Sequence, residues 1–177
     1  MGKIKINDLK NFIKELSKQE LENELVDLVK KYSNVNEYYN FKANKNTDEL
    51  FNKYKKEIES QFFTKDGIPG EPSTREIKNL ISEYKKIDND VRRVIELKIL
   101  YVNSAIDYMN MYGDLWESFY TQTENAFDSI LKDIAKNDLY DEYFEKITTI
   151  YKKSRGHGWG FSDYMEELYF DIYGDRV

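Results

Sequence analysis

The chain has 177 residues, 40% of them hydrophobic and 15% aromatic, a content that excludes a disordered protein in spite of 34% charged residues. Cysteine is absent, which excludes disulfides, thiolate zinc sites, iron–sulfur clusters and a cysteine nucleophile. The net charge of −6 is concentrated late, because residues 113–177 carry 14 Asp/Glu against 7 Lys/Arg, and so acidic a third repels nucleic-acid phosphates.

Apolar residues recur at helical spacing along the whole chain. Leu9, Phe12, Ile13 and Leu16 form the first stripe, with Asn7 as its predicted N-cap. Ser17 and Glu20 make a capping box that opens a second helix with Leu21, Leu25, Leu28, Val29 and Tyr32 on one face. A short helix carrying Val35, Tyr38 and Tyr39 follows, and Thr47 is the predicted cap of a longer one with Leu50, Phe51, Tyr54, Ile58 and Phe62.

The segment from Thr64 to Pro72 contains both prolines and two glycines and breaks the helical pattern. Ser73 with Glu76 restarts it, through Ile77, Ile81 and Tyr84. Residues 91–112 carry two stripes, one through Ile95, Val102 and Ile106 and one through Val94, Tyr101 and Tyr108. A helix apolar on two sides is packed from both flanks, so this one is predicted to be central. Gly113 is expected to end it, and Asp114 with Glu117 reads as another capping box. Two further helices carry Phe119, Phe127 and Ile130, then Tyr143, Ile147 and Tyr151, and Ser162 is the predicted cap of a last helix through Met165 and Tyr169.

The fold class is therefore all-α, a compact antiparallel bundle of about eight or nine helices in a single domain over 1–177, with the 64–72 loop as the place for any subdivision. Helix pairs begin near residues 33, 73 and 114, a spacing of about 40 that also fits a short HEAT-like α-solenoid. No apolar run approaches the ~20 residues that span a bilayer. No apolar stretch of signal-peptide length opens the chain, and Ile6 stands where a myristoylation signal needs Ser or Thr. The expectation is a cytoplasmic protein.

The segment Arg155-Gly156-His157-Gly158-Trp159-Gly160-Phe161 gathers three of eight glycines, the single histidine and one of two tryptophans. One reading is architectural: a helix stop at Gly156, a tight turn, and Trp159 filling the space beside Gly158 and Gly160. The other is a recognition loop presenting Arg155, His157 and Trp159, with Phe161, Asp163, Asp114 and Trp116 as neighbouring binding candidates. A lone histidine rules out histidine-based metal clusters, and a Ser–His–Asp triad would need Ser154 or Ser162 close in sequence to His157. No Walker or dinucleotide fingerprint occurs, and no metal, cofactor or catalytic residue is expected.

Seventeen of the 27 aromatic residues lie after residue 100. Because each buried tyrosine hydroxyl needs a partner, some of these are expected to line a groove or an interface.

The segments Leu16-Ser17-Lys18-Gln19-Glu20-Leu21, Val35-Asn36-Glu37-Tyr38-Tyr39 and Tyr54 to Ile58 with Phe62-Phe63 carry a likeness. The Tyr112-Gly113-Asp114 turn and the tail from Gly156 through Trp159 to Phe161 complete it. Together they resemble a family of small bacterial all-helical proteins catalogued as a domain of unknown function. That resemblance implies helices and a bacterial cytoplasmic protein, and brings no catalytic residue with it.

The leading functional expectation is a non-catalytic protein–protein interaction module whose partner is basic, with no nucleic acid and no membrane. A small-ligand binder or enzyme with a pocket near Arg155, His157 and Trp159 is one alternative, and an acidic inhibitor or immunity protein for a basic partner is another.

Overall fold

The computed structural model describes residues 3–44, 46–63, 70, 72–113, 115–158 and 160–174. Among these residues nine α-helices follow one another with no strand. The chain divides into two units, Met1–Thr47 and Asp48–Val177.

The first unit holds α1 (Ile6–Glu15), α2 (Lys18–Lys31) and α3 (Ser33–Asn44). The expected box opens α2, where the Ser17 hydroxyl accepts from the Glu20 amide and the Glu20 carboxylate accepts from Ser17. Helix α1 starts earlier than expected, since Lys5 and not Asn7 is its N-cap, and no side chain caps it. Helices α2 and α3 pack on each other. None of the three buries a single described residue.

The second unit opens with α4 (Thr47–Phe62), in which Thr47 is the first helical residue and not the cap; of the expected face Leu50, Tyr54, Ile58 and Phe62 are buried and Phe51 is half-buried. Ser73 accepts from the Glu76 amide and starts α5 (Thr74–Ile87). Asp88 then makes the turn: its Oδ2 accepts from the Tyr84 hydroxyl at 2.8 Å and its Oδ1 from the Asp90 amide at 3.1 Å. Asp90 in turn caps α6 (Val91–Tyr112) through the Arg92 amide at 2.9 Å.

Both stripes of α6 are buried, with Ile95, Leu97, Val102, Ala105 and Ile106 wholly out of solvent. It packs against α5, α7 (Glu117–Lys136) and α8 (Tyr140–Lys153), and α7 packs in turn on α8 and α9 (Phe161–Tyr173). Gly113 ends α6 as expected. The box expected at Asp114 and Glu117 does not start α7, whose N-cap is Trp116 with no side-chain bond. Asp114 itself lies outside the described residues, as do residues 64–69 and 71 of the proline-bearing loop.

Ion pairs set α8 parallel to α6: Arg92 meets Glu142 at 3.0 Å, Lys146 meets Glu96, and Lys153 meets Asp107 at 3.1 Å. Exposed pairs of this kind contribute ~0.2–1 kcal/mol each, so they adjust the register of the two helices more than they hold them together. The apolar core holds them. Phe127 on α7 is fully buried. Phe127→Ala should lower unfolding free energy by about 3–5 kcal/mol in chemical denaturation, because the transfer loss and the cavity add.

Burial pushes the Tyr101 hydroxyl up to about 12. Tyr84 and Tyr143 are driven further in the same direction, chiefly by burial, with Asp88 adding to Tyr84 and Glu96 to Tyr143. A group whose folded value is raised loses its contribution as pH climbs. Stability should therefore hold up to about pH 10, the ordinary tyrosine value, then fall through pH 12. Absorbance titration should find a set of tyrosines that ionise only as helical circular dichroism is lost.

Candidate functional site

The glycine-rich segment joins α8 to α9, and its geometry follows from two of its three glycines. Gly156 sits at φ 92° and Gly160 at φ 74°, both in the left-handed region that side chains disfavour. A Cβ at either position would meet no atom within 4 Å, so torsion and not crowding calls for glycine there. Gly160 is also the N-cap of α9, which corrects the expectation that Ser162 would be.

Ser162 has a different task. Its hydroxyl accepts from the His157 amide at 3.0 Å and stands 2.9 Å from the carbonyls of both Ser154 and His157, donating to one at a time. One side chain thus ties three backbone groups of the turn. Ser154, fully buried, donates its hydroxyl to the Tyr151 carbonyl at 2.8 Å. Both serines of the hypothetical triad are occupied by backbone, which is a turn clasp and not a nucleophile arrangement.

The predicted binding residues separate. Phe161 is fully buried, with its ring 5.5 Å from Tyr120 and 5.7 Å from His157. His157 is half-buried, edge-on to Phe161. Arg155 is exposed, its guanidinium 5.8 Å over the Tyr151 ring, and Asp163 is exposed in the first turn of α9. Trp116 is 52% exposed at the start of α7, against Phe119 at 5.5 Å. Trp159, like Asp114, lies outside the described residues. His157 and Phe161 are therefore brought together as packing, while Arg155 and Asp163 face water.

Most buried tyrosine hydroxyls are answered inside the protein. Tyr108 donates to the Gly70 carbonyl at 2.9 Å, Tyr143 to that of Arg92 at 3.3 Å and Tyr173 to that of Tyr140 at 3.2 Å. Tyr151 donates to Glu166 at 2.7 Å while stacking on Tyr169 at 4.5 Å, and that carboxylate raises the Tyr151 value. Core packing accounts for these rings.

The exposure of the first unit's stripes was not legible in the sequence. There, Phe12 is 50% exposed and Ile6 65%, and Ile13, Leu25, Val26 and Leu28 are exposed as well. The stripes themselves were plain in the sequence; nothing in a linear pattern says whether a stripe is covered.

Among the described residues no group of three or more His, Asp or Glu could hold a metal ion, and no helix is long and apolar enough to cross a membrane. The class that fold and site define is an all-helical protein organised by packing. The chain belongs to DUF6155, a family of unknown function whose model matches residues 4–172. Neither a curated protein nor a solved structure gives a significant match.

If torsion is the reason for the glycines, Gly156→Ala and Gly160→Ala should each cost about 1–2 kcal/mol of stability, the penalty of a left-handed residue with a Cβ. Gly158→Ala, at a position with no positive φ and open space around it, should be nearly neutral in the same thermal melts.

Proposed function

We propose that the protein is a non-catalytic interaction module, and that its first unit supplies the docking face. The observation that carries this reading is that α1 and α2 have clear apolar stripes, and that neither they nor α3 bury any described residue. Short helices draw most of their stability from covering such a stripe, since isolated helices under about 12–15 residues are marginal in water. Helix α1 has ten residues. Its stripe needs a cover.

The edges of that stripe indicate the chemistry of the cover. At 100° per residue Lys10 and Lys14 fall on one side of the Leu9–Ile13 face, and Asp8 and Glu15 on the other. A partner helix with an apolar stripe, acidic along one edge and basic along the other, meets both. Binding energy comes from the apolar centre, and the charged edges select orientation and partner.

The test is reconstitution of a complex between the tagged full-length chain and a co-purifying protein, each purified separately. Phe12→Glu combined with Ile13→Glu should weaken that complex at least tenfold while leaving helical circular dichroism nearly unchanged. A complex indifferent to the pair, or none, overturns the reading; self-association lost with the same pair would replace the foreign partner with a second copy.

A further inference from the structure

A groove runs between α5 and α7 with α6 as its floor, and its charge is one-sided. A cleft of about 370 Å³ is lined by Lys78 and Lys85 of α5, Lys98 and Tyr101 of α6, and Asn125 and Ser129 of α7. A second depression of about 460 Å³ shares Lys78 and adds Arg75 and Gln122. No carboxylate lines either among the described residues. At 100° per residue the carboxylates of α5, Glu76 and Glu83, fall roughly opposite Lys78 and Lys85 and about a quarter turn from Arg75. Arg75, Lys78 and Lys85 thus form one cationic row about 15 Å long at 1.5 Å per residue, on a chain whose net charge is −6.

The row is not neutralised from within. Lys98, 17% exposed, is satisfied at 2.7 Å by Asp133 and at 2.7 Å by Ser129. Lys78 has only the neutral Gln122 amide, and burial lowers its value from that of an ordinary lysine. Neither Arg75 nor Lys85 forms an ion pair among the described residues. Cations lined up without a counter-charge repel one another, and an anion placed among them relieves that repulsion.

Tyr101 adds an independent sign. It is 1% exposed and lines the cleft, and its hydroxyl makes no well-formed hydrogen bond, with only the buried Thr123 hydroxyl close enough to act on it. The other buried tyrosines discussed above all have a well-formed bond, and a buried hydroxyl without one is costly. Ile81, Val94 and Ala126 supply the apolar part of the same lining. The volume falls in the range of small-molecule sites, which join apolar walls to a few polar groups.

We propose that this groove binds a small organic anion, a phosphate or carboxylate joined to an apolar body. The anionic group lies along Arg75, Lys78 and Lys85, the apolar body rests on Ile81 and Val94, and the Tyr101 hydroxyl donates to the ligand from the floor. This site lies wholly within the second unit.

The experiment is isothermal titration of the full-length chain with 1-naphthyl phosphate, beside 1-naphthol and inorganic phosphate. Saturable one-to-one binding is expected for the naphthyl phosphate, at least tenfold tighter than for either fragment. Lys78→Gln with Lys85→Gln should weaken it tenfold or more. Tyr101→Phe, which keeps the ring and removes only the hydroxyl, should weaken it severalfold while helical circular dichroism stays unchanged. No saturation up to millimolar probe, equal binding of the neutral naphthol or of phosphate alone, or affinity unchanged by both sets of substitutions overturns the proposal.

Discussion

The second unit depends on a helix that no single neighbour can cover. Helix α6 is apolar along two stripes, and Val94, Ile95, Leu97, Val102, Ala105 and Ile106 are all withdrawn from water. Water tolerates neither stripe exposed, so α5, α7 and α8 must assemble around it. Much else follows from that. The turn built by Asp88 and Asp90 delivers the chain into α6, and the ion pairs from Arg92 to Lys153 align α8 beside it.

A core this rich in tyrosine carries its own constraint, because every buried hydroxyl must find an acceptor. The fold answers with the side chains of Asp88, Thr148 and Glu166 and with backbone carbonyls at places where helices end or cross. Tyr108 reaches Gly70 just before α5, Tyr143 reaches Arg92 near the start of α6, and Tyr173 reaches Tyr140 at the start of α8. These bonds tie elements distant in sequence, so the tyrosines specify which helix meets which as well as filling volume. Tyr101 stands apart because its hydroxyl is buried without such a bond.

The turn between α8 and α9 illustrates how a conspicuous motif can serve geometry. Gly156 and Gly160 provide left-handed torsions, Ser162 fastens the backbone of Ser154 and His157, and Phe161 drops into the core against Tyr120. The outcome is a sharp reversal that brings α9 back onto α7 and α8. The more telling surfaces are quieter in sequence: a cationic row on α5 and two amphipathic helices, α1 and α2, with no described residue buried.

The sequence by itself determined the helices, because a 3.6-residue period is a local property that Leu50, Tyr54, Ile58 and Phe62 display without reference to any neighbour. It determined the Ser17 box, the Ser73 cap and the central position of α6 for the same reason: caps and stripes are set within a few turns of chain. The caps predicted at Asn7, Thr47 and Ser162 are not where α1, α4 and α9 begin, and at α9 the left-handed torsion of Gly160 and the backbone bonds of Ser162 outweighed side-chain preference. Only the tertiary structure decided that Phe161 is core while Trp116 faces water, that Ser162 bonds to backbone, and that Arg75, Lys78 and Lys85 border one groove with the neutral side chains of α7. The physical reason is that burial and counter-charge belong to pairs of elements far apart in the chain, and a stripe or a lysine looks the same in sequence whether or not something stands opposite it.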